Sequence, residues 1–413
     1  VIEDTAGLEY ELTQSMKKLK GEKKPVGVVS GHQGPSLSQG LSALKEALPT
    51  YDLREIPVSS PVPSDLAALL VVAPETKFSE QELKNLDAFV LRGGSLGIFG
   101  GSMKVSLEGG EPSAKAVDSG LQPLLQGWGL TLNQDLVADW QCGRAPMRGP
   151  FGITVAVPYP PVPIVALDDK AREHPVLFRL ASAPLPFSSS VKVGSKLKGV
   201  KGVKVQRLAR SSENSWKMTG ADIALKPRDP RQWEVSGKTG PFTLMAAVEG
   251  RIPSAFAQSM SAAGSKEGGE AKSKGKARVL LTGSGTFMRD ELLPPPNQRG
   301  NRELSGALAL ALNAVDWLAQ DSDLIAIRAK NVEDPALEVP AAVREAEDAA
   351  RNAVGAQDKA GVEKALEKRK QALEVWKQKK AAYRWINTLG VPFFFAIFGF
   401  LRWRIRNARP ARA

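Results

Sequence analysis

Cysteine and histidine are nearly missing from this 413-residue chain: Cys142 is its single cysteine, and His32 and His174 are its two histidines. A lone cysteine forms no intrachain disulfide, so an oxidising compartment is neither demanded nor excluded. With so few His and Cys ligands, and none at zinc-type spacing, no metal is expected, and no motif calls for another cofactor. No G-x-x-x-x-G-K-[ST] stretch occurs, so if the chain belongs to an ATP-driven machine, hydrolysis takes place on another subunit. The "GSGTF" at 283–287 lacks the G-x-G-x-x-G spacing of a dinucleotide site and reads as a tight turn after a strand. Membrane-length apolar runs are also missing until the last 30 residues. The chain begins "VIEDTAGLEY", without Met or a signal-peptide pattern, and is therefore expected to be a piece of a longer protein.

What is present is a foldable composition, 42% hydrophobic and 24% charged, enough for substantial cores and more than one structural unit. The net charge of +12 gathers at 192–207, at 272–278 and around the C-terminal apolar run. None of these stretches interleaves aromatic and basic residues, and no nucleic-acid partner is expected. The sequence "KVGSKLKGVKGVKVQR" (192–207) alternates Lys with Val and Gly, as an exposed β-hairpin edge does, its lysines discouraging edge-to-edge pairing. Binding of an anionic polymer is the functional alternative for that stretch.

Along the chain, "PVGVVSGHQGP" reads as a buried strand entering a Gly-rich turn. Leu37, Leu41, Leu44 and Leu48 then fall at helical spacing behind Ser36 as cap. "YDLREIPV" and the continuous apolar run in "DLAALLVVAP" read as strands, the second of the buried parallel type. In "SEQELKNLDAFVLRGG", Ser79 and Glu82 form a capping box, Leu83, Leu86, Phe89 and Val90 form the apolar face, and Gly93 ends the helix. "SLGIFGG" adds a strand, and the alternation predicts an α/β fold with a parallel, doubly wound sheet. From Leu130 to about Phe256 short β-like runs are broken by Pro and Gly, forming a β-rich continuation or insertion. Residues 259–276 read as a mobile loop, after which "ARVLLTGSGTF" and the helix "NRELSGALALALNAVDWLAQ" close the α/β unit.

Residues 341–384 are rich in Ala, Glu, Lys and Arg and predict a long helix with a thin apolar stripe of Ala365, Leu366, Leu373 and Trp376, a stalk rather than core. Between Trp385 and Leu401 no charged side chain occurs, and about 17 apolar residues is the lower limit for crossing a bilayer. Arg384 and Arg402 can snorkel at its ends, Trp385 and Trp403 stand at interfacial positions, and Phe393, Phe394, Phe395, Phe398 and Leu401 supply the anchor. Arg402, Arg404, Arg406 and Arg409 follow without an acidic residue, which favours a cytoplasmic C-terminus and an extracytoplasmic body in contact with membrane lipid at its anchor.

Open α/β sheets bind ligands at the carboxyl ends of their strands. There the sequence places Gly31 and His32 after the first strand, Ser102 after the fourth, and Gly283 and Ser284 after the late one. A hydrolase using Ser102 or Cys142 with His32 is conceivable, but "FGGSM" lacks the elbow such a nucleophile needs, and ordinary turn residues are the favoured reading. A solute-binding module would require a pocket beside His32. The cluster Asp168, Asp169, Glu173 and His174 precedes Pro175 and reads as a solvated turn.

Several stretches taken in order, "LEYELTQSMKKL", "VGVVSGHQG", "FSEQELKNLDAFVLRGGSLGIF", "REHPVLFRL", "LARSSENSWKM", "ARVLLTGSGTF", "NRELSGALALALNAVDWLAQDSDLIAIRAK" and "INTLGVPFFFAIFGFLRWRIR", resemble the GldG-like proteins, gliding-motility-type auxiliary components of ABC transporters. The resemblance implies an extracytoplasmic, class I glutamine-amidotransferase-like α/β domain without its catalytic triad, held by a C-terminal membrane helix, with ABC permease and ATPase subunits as partners; no cofactor is expected, and an exported polymer or envelope protein is a further expected partner, engaged by the β-rich edge or the basic loops. Where the family often has an acidic turn of the type G-D-S-D-F, this chain has Gly283, Ser284, Gly285, Thr286 and Phe287. The expected organisation is an α/β half at 1–128, a β-rich continuation closing that unit at 129–330, a helical stalk at 331–384, a transmembrane helix at 385–402 and a basic cytoplasmic tail at 403–413, in a bacterial inner membrane with the bulk in the periplasm.

Overall fold

The structure, a computed structural model, describes residues 23–107, 112–148, 154–167, 169–178, 180–197, 199–257, 273, 275–293, 302–320 and 359–385, with isolated positions at 342, 343, 345, 346, 349, 402 and 404. In chain order the first elements are β1 (Lys24–Val29), α1 (Ser42–Ala47), β2 (Tyr51–Ile56), β3 (Ala68–Val72), α2 (Glu80–Leu91) and β4 (Ser95–Phe99). Short elements follow: β5 (Met103–Ser106), β6 (Ser113–Ala116), α3 (Gln122–Gly127), β7 (Leu130–Leu132), β8 (Leu136–Asp139), β9 (Cys142–Arg148), β10 (Thr154–Ala166), α4 (Asp169–Arg172), β11 (Ser182–Pro184) and β12 (Val191–Val193). The rest are β13 (Val203–Arg210), β14 (Ser215–Met218), β15 (Asp222–Ala224), β16 (Thr243–Gly250), β17 (Ala277–Thr282), α5 (Arg302–Leu318) and α6 (Lys359–Trp385).

Seven strands form the main sheet in the order β13-β16-β17-β4-β3-β1-β2. The five from β17 to β2 are parallel, whereas β16 runs antiparallel to both β17 and β13. β3 and β4 are buried along their whole length, which is why they read as unbroken apolar runs instead of alternating ones. The pleat sends Leu69, Val71, Leu96 and Ile98 toward Leu83, Leu86, Phe89 and Val90 of α2. It sends Ala68, Leu70, Val72 and Phe99 toward Leu310, Ala311, Ala314 and Leu318 of α5. Each fully buried Leu or Phe on these faces contributes about 2 kcal/mol. A third core, built on Trp216, Phe187, Tyr159 and Trp233, lies among the small sheets β5-β6-β15 and β8-β14.

Two local readings are corrected. Ser36 does not cap a helix: its hydroxyl accepts from the Gln39 N–H at 2.9 Å within a tight turn that Gly40 leaves at φ +90°. The helix starts only at Ser42, and its cap comes from Asp290, whose carboxylate accepts from the Ser42 and Ala43 N–H groups at 3.0 and 2.8 Å. Burial alone would raise the Asp290 carboxyl, but these donors hold it below the usual carboxylate range. The basic stretch 192–207 is not a hairpin either. β12 pairs with β7, and β13 pairs with β16 at the edge of the main sheet, because the apolar Val203 and Val205 pack onto the main core.

The chain divides into two units, Val1–Ala145 with Pro158–Asp334, and Pro146–Val157 with Pro335–Ala413. In the second, Val155 and Val157 are buried with Met147 and Leu366 packed against them. α6 runs for 27 residues straight through Gly361. Among the described residues no helix is long and apolar enough to cross a membrane. Phe393, Phe394, Phe395, Phe398, Leu401, Trp403, Arg406 and Arg409 lie outside the described residues, as does most of the stretch 259–276, while Arg402 and Arg404 are helical and exposed.

The capping box at α2 is complete, with the Ser79 hydroxyl accepting from Glu82 N–H at 3.3 Å and the Glu82 carboxylate accepting from Ser79 N–H at 2.7 Å. Ser79→Ala is expected to lower the unfolding free energy by about 1 kcal/mol, measured by urea titration.

Candidate functional site

The strand-end residues singled out from the sequence divide between two environments. Gly31 and His32 occupy a turn with positive φ at both positions, 89° and 52°. The His32 ring stacks on Phe78 with centroids 3.7 Å apart. Its Nε2 lies 3.4 Å from Glu82, and its carbonyl accepts from the Glu75 and Thr76 N–H groups. Burial pushes the Glu82 carboxyl up, but hydrogen bonds from Ser79, aided by His32, hold it below the ordinary range. His32 thus braces the start of α2.

Ser102, Gly283 and Ser284 belong to a different assembly, a buried seam organised by "PFSSSV". The Ser102 hydroxyl donates to the Asn133 carbonyl at 2.7 Å and lies 3.0 Å from the Ser189 hydroxyl, which in turn accepts from the Ser102 N–H. The Ser189 N–H donates to the Gly283 carbonyl at 2.8 Å, and the Ser284 hydroxyl donates to the Pro186 carbonyl at 2.6 Å. Asp135, 3% exposed, accepts from both the N–H and the hydroxyl of Ser190 at 2.7 Å and pairs with Lys217 at 2.7 Å. A Cβ on Gly283 would come within 1.8 Å of the Ser189 carbonyl oxygen, so only glycine permits this approach.

Neither histidine contacts Ser102 or Cys142. Cys142 opens β9 and is half-buried. His174 is buried against Trp317, with ring centroids 5.1 Å apart, and its Nδ1 accepts from the Val176 N–H. The turn expected to be solvated at His174 is therefore packed into the core, since Pro175 starts a 3-10 turn whose Val176 and Leu177 are buried. Among the described residues no three His, Cys, Asp or Glu side chains gather as a metal cage would.

The open space at the strand ends is beside the seam. A crevice of about 280 Å³ is walled by the turns after β3, β4 and β17, through Glu75, Gly101 and Thr286, and by β5 and Phe187. Two ion pairs line it, Lys104 with Glu75 at 2.6 Å and Arg289 with Glu291 at 2.9 Å. Both pairs are satisfied within the wall, and the lining has Ser106 but no histidine to serve it as a base for acyl transfer. None of His32, Gly31, Ser102, Gly283 and Ser284 lines it. Glu75, Lys104, Arg289 and Glu291 were not singled out from the sequence because they come from the turn after β3, from β5 and from the segment after β17, and share no motif. The seam had a signal, three consecutive serines beside an apolar strand, but it reads as loop until Asp135 is placed against it.

Residues 23–314 match the model of a family described as an ABC-type uncharacterized transport system. The chain belongs to this family. It is an auxiliary component of an ABC-type transport system, in agreement with the GldG-like resemblance, and its partners are components of that system. Among solved structures it is similar to the mmIFT52 N-terminal domain, at 14% identity and a TM-score of 0.42 over 72% of this chain and 98% of that one. Nothing among the curated proteins matches it.

Two outcomes are expected of this auxiliary component. Asp135→Ala leaves Ser190 and Lys217 without their acceptor and should cost about 3 kcal/mol in urea unfolding. Burial holds the His174 imidazole down to about 4, against 6.5 when free, with Glu249 only partly opposing. Between those values the unfolded chain takes up a proton that the folded chain refuses, so stability falls as pH falls across that window, by up to about 3 kcal/mol. In His174→Gln that slope should vanish from urea midpoints measured between pH 7 and pH 4.

Proposed function

We infer that this auxiliary component is a non-catalytic subunit of an ABC-2-type exporter, serving gliding motility or envelope and polymer export. Its α/β body stands on the periplasmic side of a bacterial inner membrane, with residues 385–402 as anchor and 403–413 in the cytoplasm. The observation that carries the non-catalytic reading is the engagement of Ser102, whose hydroxyl is buried between the Asn133 carbonyl and Ser189. The only sequence-level base for it, His32, is stacked on Phe78 and aimed at Glu82. A nucleophile without a base in reach has no route to activation.

The membrane placement is supported by the uncharged run from Trp385 to Leu401 and the arginines beyond it. Family membership supports partners from an ABC-type transport system, and the lack of a phosphate loop in these 413 residues supports hydrolysis on a separate ATPase subunit. α6, polar on most of its surface, spans about 40 Å at 1.5 Å per residue and is suited to hold a partner or set a height above the permease.

Affinity purification of the full chain from detergent-solubilised membranes should recover a permease and an ATPase in fixed proportion, and Ser102→Ala should recover them equally well. Recovery of the chain without either partner would overturn the reading.

A further inference from the structure

β13 is the last strand on its side of the main sheet, and among the described residues nothing pairs with its outer edge. The Gly202 carbonyl accepts from the Arg251 N–H at 3.2 Å. By the alternation of an antiparallel ladder, Val203 and Val205 therefore turn their backbone groups away from β16. The Val203 N–H is taken by the Val200 carbonyl, whereas Val205 presents both its N–H and its C=O to the open side. The pairing with β16 is regular from Val203 to Arg207 and shifts register between Arg207 and Arg210. The straight part of the edge can thus accept a strand of about five residues, some 16 Å long.

Positive charge borders this edge on both faces. Lys201, Lys204, Arg207, Arg210 and Arg251 are exposed, and none of them forms an ion pair among the described residues. Lys204 sits opposite Glu249 in the ladder, but the Glu249 carboxylate is engaged by the Arg278 Nε at 3.1 Å. Arg207 lies opposite Ala246, on the face that holds the core of α2, and Lys204 projects from the other face. A strand added here would meet a cation above and below its backbone.

We propose that β13 is a docking edge for an extended, acidic peptide segment of a partner protein, which adds to the main sheet as an eighth strand. The open Val205 amide and carbonyl supply the pairing that main-chain recognition uses, and the unpaired cations select acidic side chains at cross-strand positions. A polysaccharide or a lipid headgroup meets the charge but not the amide register. The same cations repel a second copy of β13, which keeps the edge open. The proposal adds a contact surface to the auxiliary subunit and does not depend on the exporter reading.

The test uses the full chain in mild detergent and a fluorescein-labelled decapeptide that alternates Glu with Thr, followed by fluorescence polarisation at low salt. Saturable binding is expected, weakened roughly twofold to fivefold by Lys204→Gln and again by Arg207→Gln. It should be lost when alternate peptide nitrogens are methylated, a change that keeps the charge and removes the strand's donors. Three results would overturn the proposal: no binding by the parent peptide, equal binding by the methylated one, or competition by phosphatidylglycerol vesicles or a sulfated polysaccharide that matches unlabelled peptide. Because the peptide comparison uses the unaltered protein, it holds even if a variant folds poorly.

Discussion

The hydrogen bond from the Ser189 N–H to the Gly283 carbonyl sets the position of most of what lies above the sheet. It exists only because residue 283 has no side chain, the nearest atom to a Cβ there being the Ser189 oxygen itself. From that contact the chain runs one way to Phe187, which enters the third core, and the other way to Ser190, which Asp135 holds by two bonds. Val137 donates to the Ser188 carbonyl alongside, so β8 is registered on the same run. The small sheets are thereby fixed against the carboxyl ends of β4 and β17, and the crevice walls at Gly101, Gly285 and Phe187 inherit their positions.

This arrangement uses serine as a structural donor at the place where an open α/β sheet offers its ligand crevice. A buried hydroxyl is tolerable when its hydrogen-bonding capacity is met, and the three adjacent serines meet it with a main-chain carbonyl, the Ser102 hydroxyl and the Asp135 carboxylate. The available cavity moves sideways, to a wall of paired charges from β5, the turn after β3 and the segment after β17.

Local features were the most legible in the sequence. The Ser79–Glu82 capping box and the buried faces of α2 followed from spacing because their physics is confined to neighbouring residues. The Ser36 reading failed because leucine spacing carries no information on Gly40, whose positive φ interrupts the helix, or on Asp290, which caps Ser42 from 248 residues away. The lysines of 192–207 suggest an edge, and β13 is one, but β13 and its partner β16 both read as part of a β-rich continuation and not as strands of the main sheet. What the sequence could not place were the long-range pairings, since a strand's apolar pattern states that it is buried and not beside which neighbour.

The insertion of β17 between β4 and β16 also bears on the order of assembly. Leu96 and Val279 are cross-strand partners about 180 residues apart. While the chain is being made, β2, β1, β3 and β4 can pair as soon as residue 99 is available, but their growing sheet ends at β4 until residues 277–282 arrive. During that interval the Leu96–Phe99 backbone is an apolar open edge, the kind that recruits wrong strands. Non-local pairing of this kind slows folding in general, because loop closure precedes the contacts that reward it. A strand that is central and wholly buried in the finished protein is therefore, for a time, its most vulnerable margin.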